Sequence, residues 1–490
     1  SYYEKQLHSL AVEDAAGKHQ WFILEDSLDA RIEAGEITSS HRLWNELLGK
    51  RVGDNILFRE SQVSPELGRI VEIKSKYVHA FHECGELLQT RYPEVKGFET
   101  VHLPQDEGAG IKTILDQVGR QHDAQRNALQ VYQENRVPIA ALAHALGRDV
   151  FEAWSAVVNH QDVRLRCCMG NTQERQFAIN LLHRTPQPIL VLDPISLMTV
   201  VHLGVRDEAC RIAGRFGIAQ ATVDLLSDTL HKKRAVNRRG FLTIGKEGEQ
   251  FVRQEVSAEE VEQQLTWLED LLGWIAANCD VLAQPATITM DQEKRKQLAD
   301  VLGDESLDSI LVATGEGRVL YSDDQWLRGL AKGEFGVDGL WTQVLLGEGL
   351  ERNTINREQY DQAVVTLVCA GYVHTGIDSK VLLAAAKRAD WRPVWPFDCV
   401  ADTLRGPHCD EASAIKVAAD FLTLLWGQVI LPESCDYLAL RLLDALSHQR
   451  KPGLIVNRLL AALKGRLLLN PIAEEDICRL VAAWEQMRIM

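Results

Sequence analysis

The sequence predicts a multidomain α/β protein. It has an α/β domain on a central parallel sheet, a small β-rich domain before it and a mainly helical domain after it. Three observations carry this. The apolar runs Pro188–Leu192 and Arg318–Tyr321 each stop at a carboxylate and read as buried strands, with helical patterns between them. Residues 48–103 switch to alternating patterns punctuated by glycine. Beyond Gly336, apolar residues recur at helical spacing, broken by Pro393, Pro396, Pro432, Pro452 and Pro471. A chain of 490 residues has room for three or four domains. The expected divisions are 1–47, 48–103, 104–187, 188–335 and 336–490.

Residues 1–47 read as a charged, mainly helical segment. Gly17 and Gly35 are its breaks, and Tyr2, Tyr3, Leu7 and Leu10 an apolar face. In the β-rich stretch, Gly53-Asp54 marks a turn before an alternating strand, Asn55–Phe58. Ile70, Val71, Ile73, Tyr77, Val78 and Phe81 suit one long strand or two short ones, and Phe98–Leu103 a last strand. Pro104–Gly110 is a polar linker. Helices are expected over Ile111–Arg136, on both sides of Gly147 within Val137–Asn159, and over Thr172–Arg184.

The most informative stretch is Glu305–Leu330. Leu307, Ile310, Leu311 and Ala313 form an apolar helical face that Gly315 and Gly317 end. The strand Arg318–Tyr321 follows, then Ser322, Asp323 and Asp324, then a helix Gln325–Ala331. Pro188–Leu192 likewise runs into Asp193. Gly217–Leu230 reads as a strand and then a helix, with Asp224 in its first turns and Asp228 one turn on.

Ligands in open α/β sheets bind at the carboxyl ends of strands. Asp193, Asp323 and Asp324, with Asp224 and Asp308 on helices, therefore make a candidate metal cage. Mg²⁺ and Mn²⁺ take oxygen ligands. Several carboxylates in one pocket repel unless a cation neutralises them. Paired ions can hold the attacking water and the leaving oxygen of a phosphodiester. Each acid also has a plainer role: Asp193 as the cap of a helix starting at Pro194, Asp323 as the cap of the next helix, Asp224 as a solvated position.

His231-Lys232-Lys233-Arg234 and Arg238-Arg239 follow the Asp224 helix. They suit phosphate binding at a site rim or the negative end of a helix dipole. Ser257 and Glu260 form a capping box for an amphipathic helix to Trp274. Cys279–Leu282 reads as a strand and Glu293–Leu302 as a helix. Asp304 shares a helical face with Asp308.

The order strand–Asp, acid early in a helix, L-x-D helix, strand–S-x-D resembles the PIN-domain nucleases over about Pro188–Lys332. That resemblance implies a three-layer α/β fold and a metal-dependent endonuclease. The implied substrate is RNA, with DNA not excluded. It implies Asp193, Asp224, Asp308 and Asp324 as ligands of Mg²⁺ or Mn²⁺, with Asp323 assisting and Ser322 orienting a carboxylate or contacting a phosphate. Two departures stand out. The family's second acid is usually Glu, where this chain has Asp224 or Asp228. The long gap from Asp224 to Asp308 implies an insertion. Gly49–Asp54 (GKRVGD) and Gly68–Ile73 (GRIVEI) resemble the small C-terminal domain of Gre-type transcript cleavage factors. That implies docking on RNA polymerase. The helical hairpin that carries catalytic acids in that family is not evident before residue 46. The combination resembles large bacterial proteins that join a helical repeat region, a Gre C-terminal domain and a PIN domain.

The formal charge of −16 argues against a general nucleic-acid coat but is compatible with an acidic-site nuclease whose basic residues are local. No apolar run reaches the roughly 18 residues of a membrane span, and no signal-peptide pattern opens the chain, so a cytoplasmic protein is expected. The chain begins with Ser and reads as processed or as a piece of something longer. Ten scattered cysteines are expected to be reduced thiols, most of them buried. There is no phosphate-binding glycine loop, nucleophile elbow or HExxH zinc motif. Two functions fit: a nuclease with a docking domain, and a non-catalytic adaptor that binds the transcription machinery or a protein partner. Either is compatible with an oligomer.

Overall fold

In the computed structural model, residues 8–14, 17–25, 30–59, 66–91, 107–160, 162–236, 240–248, 250–283, 290–406, 409–468 and 470–489 are described. They fall into two compact units, Ser1–Thr113 and Ile114–Met490.

The first unit is built on alternation. β1 (His8–Glu13) and β2 (His19–Leu24) pair antiparallel, and β3 (Glu36–Ile37) joins β2 in parallel. α1 (Arg42–Leu47) leads to β4 (Asn55–Arg59) and β5 (Glu66–Ser75), and the strand order is β3-β2-β1-β5-β4. Leu10, Val12, Phe22, Leu24, Ile56 and Ile70 share one core. This corrects the helical reading of residues 1–47. Gly17 sits at positive φ in the turn between β1 and β2, and Gly35 at positive φ caps a single 3-10 turn, Ile32–Ala34, just before β3. Gly68 is required, because a Cβ there would stand 2.5 Å from Val12 Cγ1. The expected Asn55–Phe58 strand is present. The following stretch is one strand to Ser75 and then α2 (Lys76–Arg91), so Tyr77, Val78 and Phe81 are helical and exposed. The strand expected at Phe98–Leu103 lies outside the described residues, and Glu107–Gly110, read as linker, begins α3 (Glu107–Glu134).

The second unit continues with α4 (Ile139–Leu146), α5 (Val150–Val158), β6 (Leu165–Arg166) and α6 (Thr172–Leu182). Then come β7 (Ile189–Leu192), α7 (Pro194–His202), α8 (Arg206–Ala213), β8 (Phe216–Ile218) and α9 (Gln220–Val236). The expected insertion opens with an unforeseen exposed hairpin, β9 (Phe241–Glu247) and β10 (Gln250–Val256), before α10 (Ala258–Asn278) and β11 (Cys279–Val281). The capping box of Ser257 and Glu260 is formed. α11 (Gln292–Ala313) is kinked at Gly303, which separates the two helices expected there. β12 (Arg318–Tyr321), α12 (Gln325–Phe335) and β13 (Gly339–Leu340) complete the sheet.

That sheet is wholly parallel, in the order β11-β8-β7-β12-β13. Alternate residues of the central strands enter opposite cores. Val191 and Leu320 pack with Leu307, Ile310 and Leu311 of α11 and with Ala140 of α4. Leu190, Leu192, Val319 and Tyr321 join the larger core, with Ile195 and Leu197 of α7. Helical layers on both faces are what an all-parallel sheet requires. β13 lies past residue 335, where the helical domain was expected to begin.

The chain ends in α13 (Thr342–Glu351), α14 (Arg357–Cys369), β14 (Tyr372–Val373), which pairs with β6, and six further helices. These are α15 (Ser379–Arg388), α16 (Phe397–Asp402), α17 (Glu411–Leu425), α18 (Pro432–Ser447), α19 (Pro452–Leu463) and α20 (Pro471–Ile489). Their buried faces join the same large core as β7 and β12, so the segments 114–187, 188–335 and 336–490 make one unit. All ten cysteines are free, and four are buried, fewer than expected. Among the described residues no helix is long and apolar enough to cross a membrane.

Candidate active site

β7 and β12 are neighbours in the middle of the sheet, so the residues that follow them meet at its C-terminal edge. Asp193 is the N-cap of α7, with Pro194 behind it, and its Oδ1 accepts the Ser196 N–H at 2.7 Å. Its Oδ2 accepts the Ser322 hydroxyl at 2.7 Å. Ser322 thereby orients a carboxylate, one of its two expected roles, and its oxygen accepts the Asp324 N–H at 3.2 Å. Asp323 accepts the Thr342 N–H at 2.9 Å on Oδ1, and the Thr342 and Ser196 hydroxyls on Oδ2. Asp324, not Asp323, caps α12. Its Oδ1 accepts the N–H groups of Trp326 and Leu327, and its Oδ2 accepts the N–H of Ile139, the first residue of α4, at 2.6 Å.

These four residues are at most 2% exposed. Burial penalises the charged form of each carboxyl. It pushes Asp193 up to about 7 against the opposing pull of the Ser196 N–H and the Ser322 hydroxyl, and the nearby Asp323 and Asp324 push it further. Burial raises Asp323 and Asp324 as well, despite the hydrogen bonds each accepts. Arg328 is the buried cation nearby. Its guanidinium donates to the carbonyls of Ser322 and Cys167 at 2.7 Å each, pairs with Glu174 at 3.3 Å and pulls Asp323 and Asp324 back down. Gly339 makes room for it, since a Cβ there would stand 2.8 Å from Arg328 Cδ.

The helix-borne acids are placed differently. Asp224 is exposed on α9 and accepts a 2.7 Å hydrogen bond from Gln220. Thr222, Leu226 and Leu230 are buried positions of that helix, four residues apart on one face, so Asp224, two from Thr222 and Leu226, turns outward. Asp228 is exposed too. Asp308 is neutralised by Arg295 at 2.9 Å, and Arg295 also reaches Asp304 at 3.4 Å. Among the described residues no three acidic, histidine or cysteine side chains are grouped to hold a metal ion. The expected cage of Asp193, Asp224, Asp308 and Asp324 is therefore not assembled.

A divalent ion does not fit this arrangement. Asp193, Asp323 and Asp324 are held by N–H and hydroxyl donors from α7, α13 and α4, and among the described residues no further ligand group completes a metal site with them. The remaining expected ligands are paired with Arg295 or turned to solvent. Of the basic cluster, Lys233 and Arg234 are engaged with Gln264 and Glu269 of α10, and Lys232 is exposed. Arg238 and Arg239 lie outside the described residues.

The sequence reading missed Thr342, Ser196, Arg328 and the Ile139 N–H. Thr342 follows the two-residue strand β13, too short to announce itself. The others hold the cluster through backbone groups or from distant segments, and no local pattern marks them.

Residues 191–333 match the family model described as the PIN domain associated with the TPR-GreAB-C-PIN system. No curated protein and no solved structure matches the chain.

Proposed function

We propose, from the premise that residues 191–333 are a PIN domain, that this chain is a nuclease held in a closed state, with RNA as its substrate class. The observation that carries the proposal is the hydrogen-bonded cluster of Asp193, Ser322, Asp323 and Asp324 at the ends of two adjacent parallel strands. That is where an α/β sheet binds its ligand, and the acids are those the PIN pattern names.

PIN chemistry implies Mg²⁺ or Mn²⁺, and the closed arrangement does not fit either ion, so no catalytic step through one is derived. What the residues themselves do is clear. Burial pushes the Asp193 carboxyl up to about 7, into the range where it exchanges a proton near neutral pH. Ser322 fixes the orientation of the Asp193 carboxylate. Asp324 is locked by the first N–H of α4. An active state on this reading must release the Ile139 N–H from Asp324 and Asp308 from Arg295. Asp224 would assist only after its helix turned.

The burial itself favours a second reading. In it the PIN domain is a scaffold, and the protein acts as an adaptor through the β-rich first unit, on RNA polymerase, or through its C-terminal helices, on a protein partner. One experiment separates the two. Mixed RNA and DNA oligonucleotides are incubated with Mn²⁺ and with either wild type or the Asp193→Asn, Asp324→Asn double variant. Cleavage by wild type that the double variant lacks supports the nuclease. No cleavage by either, with no Mn²⁺-dependent rise in melting temperature for wild type or for an Arg295→Ala variant that frees Asp308, sinks it in favour of the adaptor.

A further inference from the structure

A second feature stands at the same edge of the sheet, two residues past the capping Asp324. Trp326 lies in the first turn of α12, half-buried, and its N–H donates to Asp324 Oδ1 at 2.9 Å. Two guanidinium groups approach its ring. Arg136 lies 5.7 Å from the ring centroid and Arg166 5.5 Å. Both arginines are exposed. Neither forms an ion pair or hydrogen bond among the described residues; the nearby Glu134 accepts from Gln130 instead. The two segments that carry them are tied together, because the Arg164 N–H donates to Gln133 Oε1 at 2.8 Å.

Two like charges beside one another repel. Here the negative face of one indole draws both to the same place. An exposed pair of guanidinium groups without a carboxylate partner is suited to phosphate oxygens, which arginine binds in bidentate fashion. Once phosphate oxygens draw the guanidinium groups off the ring, the indole offers a flat apolar surface for a base, and a guanidinium plane offers another. Arg136 and Arg166 lie outside residues 191–333 and Trp326 lies within them, so the arrangement joins the preceding helical segment to the matched domain.

We propose that Arg136, Trp326 and Arg166 form a binding subsite for single-stranded nucleic acid. The arginines hold the phosphodiester backbone beside the acidic cluster, and Trp326 stacks a base. The proposal rests on the reading that this PIN domain acts on nucleic acid, and it extends that reading to residues outside it.

The test is fluorescence anisotropy of the full chain with a fluorescein-labelled single-stranded RNA 12-mer in EDTA, so that binding is read without cleavage. The Arg136→Ala, Arg166→Ala double variant should bind about tenfold or more weakly, with a salt slope shallower by about 1.4 for two lost phosphate contacts. Trp326→Leu should weaken binding by about fivefold or more, and RNA should quench the tryptophan fluorescence of wild type. Wild-type affinity and salt slope in the double variant overturn the proposal. So does binding that fails only in Lys232→Ala, equal quenching by inorganic phosphate at the same phosphate concentration, or binding of an acidic peptide in place of RNA. Cleavage with Mn²⁺ is measured in parallel. RNA bound through the two arginines without cleavage removes the nuclease reading and leaves the subsite. Cleavage with unchanged kcat/KM in the double variant removes the subsite and leaves the nuclease.

Discussion

The acids at the strand ends and the acids on the helices meet different fates in the same domain. Asp193, Asp323 and Asp324 are buried and saturated with hydrogen bonds, while Asp224 and Asp308 stand at or near the surface and are held by neighbours on their own helices. The difference lies in how each position is fixed. A residue that follows a central parallel strand is delivered to the sheet edge by the ladder itself. A residue on a helix goes where the phase of that helix sends it, and in α9 the buried Thr222 and Leu226 send Asp224 outward.

The largest effect should come from the residue that ties the most elements together. Asp324→Ala removes the cap of α12 and leaves the buried Ile139 N–H without an acceptor. A lost cap costs about 1 kcal/mol and an orphaned buried donor about 1–3 kcal/mol. Urea unfolding should show a combined loss of roughly 2–4 kcal/mol. A loss below about 1 kcal/mol would mean that Asp324 is not the anchor its hydrogen bonds make it.

Asp193 should give the next largest effect, and its sign depends on pH. Burial pushes its carboxyl up to about 7 in the fold, above the ordinary aspartate value of about 3.9. The folded state therefore holds a proton that the unfolded chain releases. The stability this contributes is fully present below about pH 4 and is lost as pH rises through 7, a change on the order of 4 kcal/mol. Asp193→Asn should flatten that slope and melt at a higher temperature than wild type at pH 8. Melting curves from pH 4 to 8 that stay parallel for the two proteins would contradict the shift.

Asp308 should matter less. It shares a partly exposed pair with Arg295, and breaking such a pair costs about 1 kcal/mol or less and depends on salt. Asp308→Asn should lower stability by that amount at 50 mM salt and by less at 500 mM. A cost above about 2 kcal/mol would place Asp308 with the buried group. Asp224→Ala should be the quietest, within about 0.5 kcal/mol of wild type, and a larger loss would erase the distinction between the two sets.

These two sets also mark what could be read in advance. The strands Ile189–Leu192 and Arg318–Tyr321 and the Asp193 cap were legible, because short apolar runs and an Asp-Pro pair are local signals, whereas the next cap was expected at Asp323 and falls on Asp324. The split around Gly303 was legible for the same reason. Residues 8–24 were not, because their alternation is short and their charges suggested a solvated helix. Nor was the closure of the acidic cluster. It depends on Ile139 and Thr342, which meet Asp324 and Asp323 only after the chain has folded around the sheet, and no spacing in the sequence encodes that meeting.

Two of the contacts that seat the acids come from outside residues 191–333. Ile139 grips Asp324 from one side, and Thr342, just past the edge strand Gly339–Leu340, grips Asp323 from the other. Anyone cutting the gene to express this domain at the limits of its family match would discard both grips and bare the edge of β12. An excised fragment of that kind would misreport the domain, whether it proved inert or active. Pieces for crystallisation or assay should begin before Tyr132 and run beyond α13.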